Sequence, residues 1–293
     1  MGRAFETVDV FTERRFGGNP LAVFTDARGM SDAEMQAFAT EFNLSETTFV
    51  LPPADPANTA RVRIFNRTAE MAFAGHPSIG TAYVLARNGH PHRDHLKLEV
   101  PAGIVAVEIE RENGAVVGGM ITAPQPLTLG RAFSAPLIAA CVSVDASDIL
   151  TTTHMPTLAS VGNAYIVAEI RGDALDRCAP NLAGFHAAHD GGADLGKRFS
   201  LYLYARTEEG AIRARMFAPL SNTWEDPATG SAAAPLAGLL LHVRGGDVIA
   251  FDIHQGEAMG RPSLLRVTAR RGADGIRTTV AGRCVPVLRG ETQ

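Results

Sequence analysis

Residues 61–89 read RVRIFNRTAEMAFAGHPSIGTAYVLARNG, and residues 212–245 read IRARMFAPLSNTWEDPATGSAAAPLAGLLLHVRG. Each stretch opens on a short β-prone run, crosses a polar turn to a glutamate, reaches a glycine five residues later and enters a helix-forming segment. Glu70 precedes Gly75 as Glu225 precedes Gly230, and Arg63-Ile64-Phe65 has its counterpart in Arg215-Met216-Phe217, with three extra residues in the second turn. The spacing predicts one structural element used twice.

Around these two elements the chain mixes strands and helices without a clean alternation of parallel βα units. Strand-like runs fall at 7–11, 21–24, 47–51, 60–65, 96–100, 105–110 and 116–121, then at 164–170, 199–205, 211–217, 248–253, 264–269 and 276–280. Ser31 followed by Glu34 reads as a capping box opening a helix to about Phe42, and further helices are expected over 136–142 and 182–188. Short connections and hairpin-like neighbours favour an α+β fold over a doubly wound one.

At 293 residues the chain has the length of two ordinary domains, and 46% hydrophobic with 20% charged residues describes a globular protein. Its 27 basic and 31 acidic residues are scattered, giving a net charge of -4 and no basic stripe to draw nucleic acid. No run reaches the ~18 apolar residues of a membrane span, and the first residues do not read as a signal segment, so the expected compartment is the cytoplasm. Cys141, Cys178 and Cys284 are far apart and form no CxxC, which argues against a disulfide framework and a zinc site.

Two motifs invite chemistry and are set aside. GGADLGKR, residues 191–198, has the GxxxxGK spacing, but Arg198 stands where a phosphate loop needs Ser or Thr and a strand-like FSLYLYA follows. HPHRDH, residues 90–95, gathers three histidines and an aspartate in a polar connection that reads as a solvated loop rather than a metal site.

Each repeat delivers a glycine-containing turn to a helix N-terminus, where unpaired N–H groups and the dipole favour negative charge. Ser231 adds a hydroxyl donor beside Gly230. Two such ends facing one another suit a small carboxylate; a single such motif reads rather as Thr229 and Ser231 capping the helix while Gly230 eases a turn.

The stretches VDVFTERRFGGNPLAVF, FNLSETTFV, RIFNRTAEMAFAGHPSIGTA, RMFAPLSNTWEDPATGSA and QGEAMGRPS occur in this order over nearly the whole chain. Together they resemble the phenazine-biosynthesis PhzF-like family, which shares the diaminopimelate epimerase fold. The resemblance implies two domains, each a curled β-sheet or barrel round a central helix starting after Gly75 or Gly230. These are expected as 1–120, completed by the C-terminal strand 283–293, and 121–282, with the site in the cleft between them and a homodimer as the usual assembly.

The family's best-understood member isomerises a dihydro-hydroxyanthranilate without cofactor or metal, a glutamate moving a proton between carbons. That glutamate falls in an N-L-S-E-T motif, here residues 43–47, which makes Glu46 the candidate acid and base. Such a residue works best with a pKa raised towards neutrality. By the same resemblance His76 and Asp226 face the substrate, Asp226 as a protonated donor beside the substrate carboxylate. Gly75, Gly230 and Ser231 then bind that carboxylate, and Asn19 in GGNP lines the site or forms a turn. Diaminopimelate epimerase and proline racemase carry a cysteine at each helix start; this chain has AFAGH and EDPATG there, so two-thiol inversion is not expected. The resemblance therefore implies a cofactor-independent isomerase of a small carboxylic acid. A racemase or epimerase using Glu46 with Asp226, and a carboxylate-binding protein without turnover, are the alternatives. Glu225 is read as a structural partner of its turn, matching Glu70.

Overall fold

The structure, a computed structural model, describes residues 2–89, 94–190 and 199–293. The GGADLGKR stretch and residues 90–93 of HPHRDH lie outside the described residues. The chain divides into two compact units: unit 1 is Met1–Thr122 with Ala281–Gln293, and unit 2 is Ala123–Val280.

Unit 1 runs β1 (Ala4–Val10), β2 (Asn19–Phe24), α1 (Asp32–Phe42), β3 (Glu46–Leu51), β4 (Ala60–Phe65), β5 (Glu70–Met71), α2 (Gly75–Asn88), β6 (His95–Val100), β7 (Gly103–Glu112) and β8 (Ala115–Thr122). Unit 2 follows with β9 (Thr128–Ala132), α3 (Ala135–Val142), β10 (Ile149–Leu150), β11 (Thr157–Ser160), β12 (Ala164–Ile170), α4 (Gly172–Arg177), α5 (Leu182–Asp190), β13 (Leu201–Arg206), β14 (Ile212–Ala218), β15 (Thr223–Asp226), α6 (Gly230–Arg244), β16 (Val248–Gln255) and β17 (Ser263–Gly272). The last strand, β18 (Gly275–Glu291), begins in unit 2 and ends in unit 1.

The two units repeat one pairing scheme. In unit 1, β2 pairs parallel with β3, β3 antiparallel with β4, β4 antiparallel with β5 and parallel with β6, and β6 antiparallel with β7. In unit 2 the same relations join β12 to β13, β13 to β14, β14 to β15 and to β16, and β16 to β17. The parallel pairs were not foreseen among the hairpins. They arise because helices, α1 and α2 in unit 1 and α4 to α6 in unit 2, carry the chain back across the sheet, which a hairpin turn cannot do. In unit 1 the strands close on themselves through β7–β8, β8–β18, β18–β1 and β1–β2.

A helix that is buried all round belongs in the middle of such a unit. In α2 every residue from Gly75 to Val84 is buried, and in α6 every residue from Ala232 to Leu241. Strand residues alternate between this inner face and an outer face covered by the remaining helices. Phe49 and Phe65 point outward into the cluster of Phe24, Met35 and Ala39 under α1, while Leu201, Leu203 and Phe217 point outward into the cluster of Ile138, Leu175 and Phe185 under α3 to α5. α1 opens as its sequence predicts, with the Ser31 hydroxyl accepting from the Glu34 N–H.

The repeated arginine and glutamate have one physical outcome in both units, although seven residues separate them in the first and ten in the second. Arg63 forms a bidentate pair with Glu70 and lies over the Phe65 ring, and Arg215 forms a bidentate pair with Glu225 and lies over the Phe217 ring. Each arginine ties its central strand to the short strand leading into the central helix. Glu225 is thus occupied in holding its turn.

Candidate active site

In unit 1 strand register brings the candidate residues to one helix. Leu21 pairs with Glu46 across the parallel β2–β3 ladder, so both point to the same face. That face meets α2: the Thr48 hydroxyl, two residues beyond Glu46, bonds the Thr81 hydroxyl at 2.8 Å, and a Cβ added at Gly80 would strike Leu21. His76 lies one helical turn before Gly80, which puts its ring on the same side of α2. The outcome is a contact of 3.1 Å between His76 Nε2 and Glu46 Oε2. Both atoms are shut off from solvent, and their alignment is not that of a hydrogen bond. Burial pushes the His76 imidazole down to about 3, so the ring beside Glu46 is neutral. Asn19, fully buried, opens β2 opposite Val10 and lies two residues before Leu21 on the same inward face.

In unit 2 the corresponding face carries different chemistry. Tyr202 and Asp226 both pair with Met216, and Gln255 pairs with Ala214 two residues away, so all three point inward. They form a buried network: Tyr202 donates to Gln255 Oε1 at 3.0 Å, Gln255 Nε2 donates to the Thr229 hydroxyl at 3.1 Å, and that hydroxyl donates to Asp226 Oδ2 at 2.5 Å. Ser231, the second residue of α6, is bonded to the Tyr165 hydroxyl at 2.6 Å.

Aligning Phe65 with Phe217 and Gly75 with Gly230 shows how the repeats diverged. Phe65 pairs with Thr47 and Phe217 with Leu201, so Glu46 corresponds to Ser200, His76 to Ser231, and Met71 to Asp226. Unit 1 holds a carboxyl against a neutral imidazole; unit 2 holds hydroxyls and a hydrogen-bonded carboxyl.

The helix starts differ from ordinary caps. The N-cap of α2 is Ala74, which has no capping group, and the N-cap of α6 is Thr229, whose side chain turns to Asp226 instead of to its own helix. The N–H groups at Gly75, His76, Gly230 and Ser231 therefore receive no side-chain cap from the N-cap residue and are suited to an anion. Neither helix start carries a thiol. All three cysteines are buried, and burial pushes the Cys141 and Cys178 thiols up to about 12. Among the described residues no cluster of His, Cys, Asp and Glu is arranged to hold a metal ion, and no helix is long and apolar enough to cross a membrane.

Sequence reading missed Tyr165, Tyr202, Thr229 as a partner of Asp226, and Gln255. Tyr202 sits in a strand buried on both faces and Tyr165 at the half-buried start of another, and nothing in the residue pattern separates either from a packing residue. Gln255 did carry a signal, since it opens QGEAMGRPS, one of the stretches that carry the family resemblance.

The chain matches the phenazine biosynthesis-like protein family over residues 8–290. It belongs to this family. Among curated relatives, a trans-2,3-dihydro-3-hydroxyanthranilate isomerase of Pseudomonas fluorescens is 37% identical, over 97% of this chain and 96% of its own. An uncharacterized isomerase of Mesorhizobium japonicum is 35% identical, over 99% and 98%. The fold is that of a phenazine biosynthesis protein of the PhzF family from Bacillus anthracis, which superposes with a TM-score of 0.89 at 23% identity over 100% of this chain and 99% of its own. This PhzF-family chain is an isomerase in the broad sense that includes epimerases.

Proposed function

We propose that this protein isomerises a small cyclic or unsaturated carboxylic acid by moving one proton between two carbons, with Glu46 as the group that takes the proton and returns it. The observation that carries the reading is the contact between Glu46 Oε2 and a buried, neutral His76. A carboxyl that attacks a C–H bond is a stronger base when water does not solvate it. A neutral imidazole serves it better than an imidazolium, which would form a tight ion pair with the carboxylate and lower its basicity. His76 packs against the carboxyl and offers one ring nitrogen to the reacting acid. Asn19 and Gly75 are assigned to substrate contacts beside Glu46.

Carboxylate recognition is assigned to Asp226, Ser231 and the Gly230 N–H in unit 2, where Asp226 acts as a donor when protonated. The reaction needs no resident cofactor or metal, because the electron pair released with the proton stays within the conjugated acid. The relative from Pseudomonas fluorescens makes trans-2,3-dihydro-3-hydroxyanthranilate the first substrate to test. A homodimer belongs to the same proposal and is read by sedimentation velocity.

The deciding experiment is turnover of that acid in deuterated water, followed by proton NMR and mass spectrometry. Label appearing at a new carbon with a moved double bond supports isomerisation by Glu46. Exchange at a single carbon with an unchanged skeleton and inverted centre would replace it with epimerisation. Binding of the acid with no exchange would leave a carboxylate-binding protein.

A further inference from the structure

Gln255 ends β16 and is 1% exposed, and its side-chain amide bonds Tyr202, Asp226 and Thr229. Its Oε1 accepts from the Tyr202 hydroxyl at 3.0 Å and from the Thr229 main-chain N–H at 3.3 Å. Its Nε2 donates to the Asp226 carbonyl at 2.8 Å and to Thr229 Oγ1 at 3.1 Å. This amide cannot be turned over. The Thr229 N–H only donates and the Asp226 carbonyl only accepts, so reversing the amide would set donor against donor and acceptor against acceptor.

Thr229 Oγ1 accepts from Gln255 Nε2 at 3.1 Å and donates to Asp226 Oδ2 at 2.5 Å. One oxygen of the Asp226 carboxyl is thereby committed to accepting. A proton carried by that carboxyl then rides on Oδ1.

We propose that Gln255 is a positioning residue for carboxylate recognition: through Thr229 it commits Asp226 Oδ2 to accept and leaves Oδ1 as the oxygen from which Asp226 donates. The proposal deepens the reading of Asp226 given above and rests on it. The chain after Gln255 is built to hold the same turn. Gly256 has φ +78 with the Pro227 and Arg261 carbonyls where a side chain would stand, and the Ser263 hydroxyl donates to the Pro227 carbonyl at 2.9 Å. A network serving the turn alone would affect stability; one that directs a proton affects the affinity for a carboxylate.

The test is calorimetric titration with anthranilate, a stable ring acid bearing the amino and carboxyl groups of the proposed substrate, alongside Tm and turnover. Gln255→Leu and Thr229→Val are each expected to weaken binding about tenfold, the loss of one charge-assisted hydrogen bond, and the double variant no further than either alone. Thr229→Ser restores the hydroxyl and binds within about threefold of wild type, as does Tyr202→Phe, which loses a bond to Oε1 only. Gln255→Leu that lowers Tm but binds anthranilate like wild type would overturn the proposal, leaving a residue that holds the turn. If Gln255→Leu does not fold, wild-type affinity in Thr229→Val overturns it equally. Loss of binding in Asp226→Ala without loss in either network variant sinks the Gln255 proposal alone. Unchanged binding in Asp226→Ala, or no anthranilate binding by wild type, removes the reading of Asp226 itself.

Discussion

His76 Nε2 stands 3.1 Å from Glu46 Oε2, and burial keeps the imidazole neutral. The pair is therefore a carboxyl and an uncharged ring, brought together by the β2–β3 register on one side and one turn of α2 on the other.

If Glu46 carries the proton, Glu46→Gln keeps the shape of the side chain and removes its chemistry. The expected result is a fall in kcat of about 100- to 10,000-fold with KM within a few-fold, and loss of deuterium incorporation. Unchanged turnover would assign the proton to another group.

His76 gives stability a pH dependence of definite sign. In the fold the ring stays neutral down to about 3, whereas in the unfolded chain it takes a proton near ~6.5. Between those values the unfolded chain binds the extra proton, so this contribution is complete above about pH 6.5 and is lost as the pH falls. His76→Gln removes the effect. Wild type should lose on the order of 2 kcal/mol relative to the variant between pH 6.5 and 5, read from denaturant midpoints. A constant difference over that window would mean that the folded ring titrates like a solvated one.

The two arginine–glutamate pairs should differ in worth. Arg215 and Glu225 are 12% and 13% exposed, and the guanidinium also donates to the Leu175 and Cys178 carbonyls; Glu70, the partner of Arg63, is 31% exposed. Arg215→Met strands a half-buried carboxylate and two carbonyls and should cost about 3 kcal/mol or more. Arg63→Met should cost about 1 to 2 kcal/mol, since water reaches its partners. Urea unfolding of the two variants checks the order.

Gly80 sets how closely α2 approaches the strands that carry the candidate site residues. A Cβ there would lie 2.6 Å from Leu21 Cδ2 and 2.8 Å from Val10 Cγ2. Alanine gains about 1 kcal/mol in helix propensity but forces overpacking of about 1 to 3 kcal/mol. Gly80→Ala is expected to lower Tm and, because His76 is one turn away, to lower kcat. A more stable variant of full activity would show that the strands yield freely.

Much of this protein was legible before folding. The paired glutamate and glycine spacings announced a duplicated element, and Ser31 with Glu34 announced α1, because caps, turns and short-range ion pairs depend on residues close in sequence. The family motifs carried the α+β architecture with its two central helices. The strands β9 and β11 and the helix α4 were not foreseen, since short elements are held by neighbours distant in sequence rather than by their own propensity.

What the sequence by itself determined is the repeated frame: two strand–turn–helix elements, each with an arginine in its strand, a glutamate after its turn and a glycine at the helix start. Only the tertiary structure decided what each frame holds. Glu46 and His76 are thirty positions apart in the chain and Gln255 is twenty-nine from Asp226, and nothing local to either residue specifies the other. They meet because strand register fixes which side chains face the central helix, and because burial then determines which groups stay neutral and which way each hydrogen bond runs.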